Sequence, residues 1–354
     1  MLRWESSAAY CGSSVGLGAS LQSLRRGANR PGGKRLLAGL TYAVAGGCFV
    51  WVFRGVALHR FLHQFEILKP GFLALAVVCS VAVYFANAWR WSILVGAFAK
   101  IGFWRTLQAI YIGLFFNEVL PLRPGEIVRC YLLSRWGGLG LPNTFASAAL
   151  ERMLDGLWML AGIFAVALEF RLPQSIVSGA MILAALIAVV FFVWIALVLR
   201  GQSRRRKTAE TPAEGKPGFL DALALMGRPR VIVAAGAVSC LPIVFLISAM
   251  WFLMKGSGFD LPAAAAAAVF LIIRVGTVIP NAPGNLGAYQ FFCVLGMGLF
   301  GVDKSAAAAF ALLTFGVFTA PLLVGGSIAV AASGLNFRAL RAAAGLEAQA
   351  QQVR

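Results

Sequence analysis

The chain carries a dense group of ionisable side chains inside an otherwise apolar stretch. Residues 117–129 read NEVLPLRPGEIVR, which places Glu118, Arg123, Glu126 and Arg129 between hydrophobic runs. A charge at the centre of a membrane-spanning helix costs about 2.5–3.5 kcal/mol on insertion scales, so four charges require mutual pairing or a watery cavity. Guanidinium groups that are not consumed by such pairs suit bidentate binding of a phosphate or carboxylate. The pattern therefore predicts ion pairing, anion binding, or both.

A second charged group follows, in which Glu151, Arg152 and Asp155 share little more than one helical turn. Side chains three and four positions apart are neighbours on a helix, so Asp155 falls beside both of the others. One interpretation is a structural clasp within the helix. The other is a polar surface that faces the same cavity as the first group, with Arg152 the best placed to do so.

Arg274 stands in the apolar stretch 269–279 without an acidic neighbour in sequence. An ionisable residue in such a stretch is a candidate site residue by default. The competing structural account is that Arg274 pairs with Glu118 or Glu126 across the bundle.

Proline and glycine interrupt the apolar sequence at two places. The first break contains Pro121, Pro124 and Gly125, and the second contains Pro280, Pro283, Gly284 and Gly287. The second break leads into a further helix, and free N–H groups at a helix N-terminus attract anions. Neutral polar side chains accompany the breaks, namely Asn117, Asn281, Asn285 and Gln290. The second break could thus hold a phosphate without adding another charge.

Other chemistry is poorly represented in the sequence. His59 and His63 are one helical turn apart, but Arg60 breaks the HExxH pattern, so we interpret them as interfacial residues. Six scattered cysteines without a CxxC pair indicate neither a zinc site nor a disulfide framework. We predict no metal, no cofactor and no catalytic triad.

The composition identifies the elements that must carry these residues. Of 354 residues, 60% are hydrophobic and 12% are charged, whereas soluble domains carry about a quarter charged residues. Apolar runs near 74–89, 176–199 and 231–254 approach or exceed the roughly 20 residues needed to cross a bilayer. We predict an all-α polytopic membrane bundle with about six to eight spanning helices and one or two re-entrant, broken elements. The net charge of +18 lies at the ends of apolar runs, so no nucleic-acid partner is expected.

The positive-inside rule predicts the orientation, because short loops rich in Lys and Arg stay in the cytoplasm. It places both termini and the basic 200–230 loop in the cytoplasm, with a disordered tail at 1–35, a membrane domain at 36–335 and a second tail at 336–354. The tail at 1–35 could also reflect an over-extended start codon. Arg90, Lys100 and Arg105 are assigned to the same cytoplasmic side.

The number of membrane crossings, odd or even, then constrains the first break. If the stretch 101–116 crossed the membrane fully, the basic loop after 199 would lie outside. We therefore predict that this stretch dips in from the cytoplasm, breaks at 121–125 and returns. The second break could be another re-entrant pair or two full crossings, and simple proline kinks at the interface are the alternative for both. Broken helices in the two halves of a membrane protein are a pointer to a transporter's central site.

Three motifs in this order carry a resemblance to a known family: NEVLPLRPGEIVR, then ERMLD, then IPNAPGNLG. The chain resembles the lysylphosphatidylglycerol synthase transmembrane-region family, also called flippase-like domain proteins, over most of 36–335, including the Arg90–Trp91 pair. The resemblance implies a bacterial or archaeal membrane protein linked to translocation of lipids or lipid-linked sugars. Residues at matching positions are Asn117, Pro121, Arg123, Gly125, Glu126, Arg129, Glu151, Arg152, Asp155, Pro280, Pro283, Gly284 and Gly287. Family members often have an acidic residue where this chain has Gln290.

The leading hypothesis is a lipid translocator in the bacterial plasma membrane that moves an anionic phospholipid or a polyprenyl-linked lipid between leaflets. Four arginines would guide the headgroup: Arg123, Arg129, Arg152 and Arg274. A lipid-modifying transferase is an alternative, with a carboxylate among Glu118, Glu126, Glu151 and Asp155 as general base. The third hypothesis is a scaffold for a partner enzyme that modifies lipid. We expect this chain to lack the soluble aminoacyl-transferase domain of longer relatives.

Overall fold

The computed structural model describes residues 31–120, 124–170, 174–208, 219–277 and 283–334. Within these ranges the secondary structure is helical and no strand occurs, which confirms the predicted all-α membrane bundle. The helices are α1 (Pro31–Phe53), α2 (Leu58–Glu66), α3 (Pro70–Gly96), α4 (Phe103–Val119), α5 (Gly125–Gly137), α6 (Leu141–Glu169), α7 (Gln174–Thr208), α8 (Phe219–Met226), α9 (Pro229–Val238), α10 (Cys240–Gly256), α11 (Ala263–Gly276), α12 (Ala288–Gly298) and α13 (Lys304–Ala332).

Four helical segments in the described residues are long and apolar enough to cross a membrane, judged by length and composition. They are Pro70–Gly96, Ala184–Gly201, Pro229–Gly256 and Lys304–Ala332. The charged helix α6 has 29 residues and extends about 43 Å at 1.5 Å per residue. It therefore also exceeds the roughly 30 Å of a bilayer core.

Helix α3 defines the two ends of the bundle, which we name end B, where α3 begins at Pro70, and end A, where it ends at Gly96. It packs antiparallel to α10. At end B the backbone N–H of Lys69 donates to the carbonyl of Gly256 at 2.9 Å, and nearer end A the side chain of Arg90 reaches the start of α10. Because α10 finishes at end B, the following helix α11 starts there.

Helices α4 and α5 form a hairpin, the first hairpin, whose open side is at end A. The arms have 17 and 13 residues, fewer than a spanning helix requires. They run antiparallel: Arg105 near the start of α4 lies against the carbonyl of Trp136 near the end of α5, and Asn117 bonds to Gly125 at the other end. This arrangement confirms the predicted re-entrant element, since both arms open toward the same end.

The second break is also a hairpin, the second hairpin, formed by α11 and α12. Its arms have 14 and 11 residues. The ring of Phe292 packs on Gly276, and Gly296 packs on the backbone of Val269, so the arms are antiparallel. The chain thus returns to end B, as it would in either of the two cases left open above. Arms of 14 and 11 residues are shorter than a full crossing requires, which favours the re-entrant pair.

The two hairpins enter from opposite ends and meet inside the bundle. A Cβ atom placed on Gly284, in the short 3-10 turn Pro283–Asn285, would lie 2.8 Å from Oε2 of Glu118 in the last turn of α4. Gly284 has φ +66°, a left-handed conformation that glycine adopts at low cost. Helix α13 runs past this meeting point, with Phe315 against Tyr289.

Some segments differ from the sequence-based boundaries. Helix α3 continues past Trp89, where the apolar run ended, as far as Gly96. The stretch 200–230 is partly helical, because α7 reaches Thr208 and α8 packs as a short buried helix. The run near 231–254 is divided at Ser239, whose hydroxyl donates to the carbonyl of Ala235 at 2.7 Å; such bonds bend helices. The predictions for residues 1–30 and 336–354 lie outside the described residues.

Candidate functional site

Glu151 is the centre of an ion-pair network between α3, α5 and α6. Its carboxylate lies 2.8 Å from Arg90, 2.9 Å from Arg129 and 2.8 Å from Arg152. The side chain is 1% exposed, a depth at which a single uncompensated charge is strongly unfavourable. Three guanidinium groups around one carboxylate supply that compensation and tie three helices together.

Two further carboxylates complete the network. Arg129 donates through Nε to the carboxylate of Glu126 at 2.8 Å. Arg90 forms an ion pair with Asp155. Three arginines thus face three carboxylates, namely Arg90, Arg129, Arg152, Glu126, Glu151 and Asp155, so the formal charge of the network is zero. The guanidinium of Arg129 also lies 4.7 Å from the ring centre of Trp91, a cation–π arrangement.

The position of Arg90 corrects the sequence-based prediction. The sequence predicts that Arg90 is a topology determinant on the cytoplasmic side, whereas in the structure its side chain is fully buried. Because α3 continues to Gly96, this residue lies more than a turn inside the helix. It donates to Glu151, Asp155 and, at 3.1 Å, Asn87. The Arg90–Trp91 pair was the signal in the sequence that could have identified it.

The network has a buried side and an open side. The side chains of Arg152, Glu126 and Asp155 are 50%, 36% and 26% exposed, whereas Arg90, Arg129 and Glu151 are buried. Arg152 is bonded to the buried Glu151 at 2.8 Å, but it lies 3.8 Å from Glu126 and 3.5 Å from Asp155 on the open side. The guanidinium of Arg152 can therefore exchange its long contacts to Glu126 and Asp155 for contacts to another anion while it stays bonded to Glu151.

A second group of residues lies at the tips of the two hairpins, and we name it the tip junction: Asn117, Glu118, Gly125, Gly284, Gly287 and Gln290. Asn117 Oδ1 accepts from the backbone N–H of Gly125 at 2.7 Å, which closes the first hairpin across its break. A Cβ on Gly125 would overlap the carbonyl oxygen of Gly113, so only glycine permits this approach. The junction adjoins the network, because Glu126 follows Gly125 directly.

Gln290 holds the second hairpin at its break. Its Oε1 accepts from the backbone N–H of Gly287 at 2.7 Å, and the residue is 0% exposed. The other amide atom, Nε2, is buried without a hydrogen-bond partner. Leaving a buried donor unsatisfied costs about 1–3 kcal/mol, so this atom is a candidate ligand contact.

The remaining predicted residues are distributed as follows. Arg274 lies in the last turn of α11, close to the tip of the second hairpin, with its guanidinium 5.9 Å from the ring centre of Phe270. Pro124 is the N-cap of α5, and Asn285 adopts φ +56° in the 3-10 turn. Pro121, Arg123, Pro280 and Asn281 lie outside the described residues. The part of the chain that the structure describes contains no group of three His, Cys, Asp or Glu side chains able to hold a metal ion.

Comparison with known proteins identifies the family. The model of the lysylphosphatidylglycerol synthase TM region matches residues 38–326, a range that includes the whole network and the tip junction. The chain belongs to the lysylphosphatidylglycerol synthase transmembrane-region family.

Relatives of this family member are found in archaea. The chain is 23% identical to a UPF0104 membrane protein of Methanothermobacter thermautotrophicus over 270 residues, with 68% of this chain and 79% of the relative covered. It is 21% identical to a UPF0104 membrane protein of Methanocaldococcus jannaschii, with 73% and 83% covered. A third relative, glycosyltransferase AglD of Haloferax volcanii, is 27% identical, with 71% of this chain but 48% of the relative covered.

Proposed function

We propose that this protein translocates a lipid with an anionic headgroup, an anionic phospholipid or a polyprenyl-linked lipid, between the leaflets of a bacterial plasma membrane. The observation that carries the proposal is the meeting of two re-entrant hairpins from opposite ends of the bundle, beside a charge network with an open side. Irregular backbone at membrane depth is tolerated where protein or water surrounds it. Broken helices in the two halves of a transporter mark its binding site.

Within this proposal the arginines have different roles. Arg129 is buried between Glu126 and Glu151 and holds the network together. Arg152 is half exposed, and its guanidinium can leave Glu126 and Asp155 to bind a headgroup phosphate. Arg274, beside the tip of the second hairpin, would receive the headgroup from the other end. Arg123 belongs to the same path by its place in the sequence between the two arms of the first hairpin.

One observation favours a second candidate function, in which the protein modifies lipid or assists an enzyme that does. Glu126 and Asp155 are partly exposed carboxylates, so a substrate could come within hydrogen-bond reach of them, as general-base catalysis requires. The relative from Haloferax volcanii is named a glycosyltransferase, although this chain matches about half of it. A lipid-modifying partner enzyme would then supply the activated donor.

The test is lipid movement in proteoliposomes that contain the purified protein and fluorescent phosphatidylglycerol or phosphatidylcholine. We expect the intact protein to move the anionic lipid, and Arg152→Ala to slow it by roughly tenfold or more, since a hydrogen bond to a charged group contributes about 1.5–3 kcal/mol. Arg123→Ala and Arg274→Ala should slow movement in the same direction.

Arg105→Ala is the matched control, because Arg105 is an exposed arginine at the open side of the first hairpin and outside the network. It should move lipid at the rate of the intact protein. A folded intact protein that moves no lipid of any headgroup tested would refute translocation and favour the second candidate.

A further inference from the structure

The tips of the two hairpins carry the N-termini of two helices. Helix α5 begins at Gly125 and α12 begins one residue after Gly287, its N-cap. Both are the returning arms of their hairpins, so both N-termini lie at the tips. The last turn of α4 contacts both sides of the junction: Asn117 bonds to Gly125, and Glu118 lies beside Gly284. A helix N-terminus carries a partial positive charge equivalent to about half an elementary charge.

An independent observation points to a ligand at this place. The amide of Gln290 is fixed against the N-terminus of α12 by the bond from Gly287 N to Oε1. Its Nε2 is therefore held at the same N-terminus, fully buried and without a hydrogen-bond partner. A donor retained in this position suits an acceptor that arrives from outside the protein.

The side-chain charges near the junction do not by themselves select a ligand. Glu118 contributes one negative charge at the tip of the first hairpin, and Arg274 contributes one positive charge in the last turn of α11. Their formal sum is zero. The two helix N-termini and the Gln290 donor then make the junction favourable for an anionic acceptor.

We propose that the tip junction binds the phosphate of the translocated lipid and that Gln290 Nε2 donates to it, which makes Gln290 a specificity-determining residue. This inference rests on the proposed function and adds a subsite distinct from Arg152 on the open side of the network. The lipid passes from one hairpin to the other with its phosphate between the two helix N-termini.

The sharpest test is the substitution Gln290→Glu, which preserves the oxygen that caps Gly287 but replaces the donor with a second oxygen. A glutamate is favourable in the first turn of a helix, which offsets part of the cost of burying its charge, and the melting temperature of this variant shows whether the fold is retained. Gln290→Met removes the donor without adding charge. The measurement is binding of short-chain phosphatidylglycerol to the full-length protein in detergent at pH 8, with melting temperature as a check on folding.

We expect Gln290→Glu to weaken binding roughly tenfold or more, and Gln290→Met to weaken it about fivefold, the value of one ordinary hydrogen bond. Dioctanoylglycerol, which lacks the phosphate, should bind equally to all three proteins. Wild-type affinity for phosphatidylglycerol in a folded Gln290→Met protein overturns the proposal. If Gln290→Met lowers the melting temperature by more than roughly ten degrees, the test uses the affinity of the Gln290→Glu protein for phosphatidylglycerol, and wild-type affinity in that protein overturns the proposal.

Two further arms separate the possible failures. Inorganic phosphate that competes with phosphatidylglycerol at equal concentration would assign the site to free phosphate and overturn its assignment to lipid. Lipid movement in proteoliposomes is measured on the same variants. Movement that is equal in wild type and both variants overturns the subsite but leaves translocation intact, whereas Gln290-dependent binding without movement supports the subsite and refutes translocation.

Discussion

At the scale of single residues, the network is organised around one buried carboxylate. Glu151 contacts three arginines, and two of them, Arg90 and Arg129, are buried with it. Replacing a whole buried ion pair with apolar groups is often neutral, but removing one partner is strongly unfavourable. The position of each charge in the network therefore predicts how much the protein depends on it.

Glu151→Gln should destabilise the protein far more than Glu126→Gln. The first substitution leaves Arg90 and Arg129 buried with too little negative charge, at a cost of about 3–5 kcal/mol. Glu126 is 36% exposed, so its substitution should cost on the order of 1 kcal/mol. Melting temperatures of the two purified variants in the same detergent measure the difference. Equal melting temperatures would show that Glu151 does not hold the network.

At the scale of elements, the hairpins depend on close backbone contact where they turn. Gly125 and Gly113 allow α5 and α4 to approach so closely that the carbonyl oxygen of each glycine lies close to where a Cβ atom of the other would be. Close packing on glycine also occurs on α13, where the ring of Tyr111 packs on Gly325 and the ring of Phe115 packs on Gly326. Glycine at such contacts is a packing requirement, since a Cβ has no space.

Gly125→Ala should open the first hairpin, because the added methyl group would overlap the carbonyl of Gly113. We expect a lower melting temperature and lipid movement reduced roughly tenfold or more, comparable to the loss of a core contact of about 1–3 kcal/mol. The matched control is Gly236→Ala, a helical glycine with no neighbouring atom within 4 Å of its added Cβ. Alanine there should be neutral or stabilising by up to about 1 kcal/mol. Wild-type behaviour of Gly125→Ala would contradict the tight hairpin.

At the scale of the whole molecule, the two hairpins enter from opposite ends, and the basic segments are distributed unequally between those ends. The arms of the first hairpin open at end A, near Lys100 and Arg105, and α7 runs into the basic 204–207 segment. End B carries the loop with Asp260. If end A is cytoplasmic, the positive-inside rule is satisfied.

Cysteine labelling tests this orientation. In a variant whose native cysteines at 11, 48, 79, 130, 240 and 293 are replaced by alanine, Asp260→Cys should react with a membrane-impermeant maleimide on intact spheroplasts. Lys100→Cys should react after lysis, since the loop between α3 and α4 would lie inside. Both positions are exposed. The reverse labelling pattern would invert the topology and place the termini outside.

Much of the architecture was predictable from local sequence. Apolar runs, the charge distribution and the proline and glycine clusters indicate a helical membrane protein and the first re-entrant element, because hydrophobic length and backbone restriction act within about 20 residues. Parity required the first hairpin to return to its own side. It could not decide the second, because the final helix reaches the same side in either case.

The tertiary structure decided which charges meet. Arg90 pairs with Glu151 across 61 residues of sequence, and Glu118 lies against a turn at 283–285. The apolar run of α3 ends at Trp89, so the sequence alone suggests that Arg90 is a basic residue at the membrane surface. Only the packing of α3 against α6 buries it. The unsatisfied donor of Gln290 is likewise invisible in sequence. Hydrophobicity and backbone preference are properties of a segment, whereas pairing and burial depend on side chains brought together from distant parts of the chain.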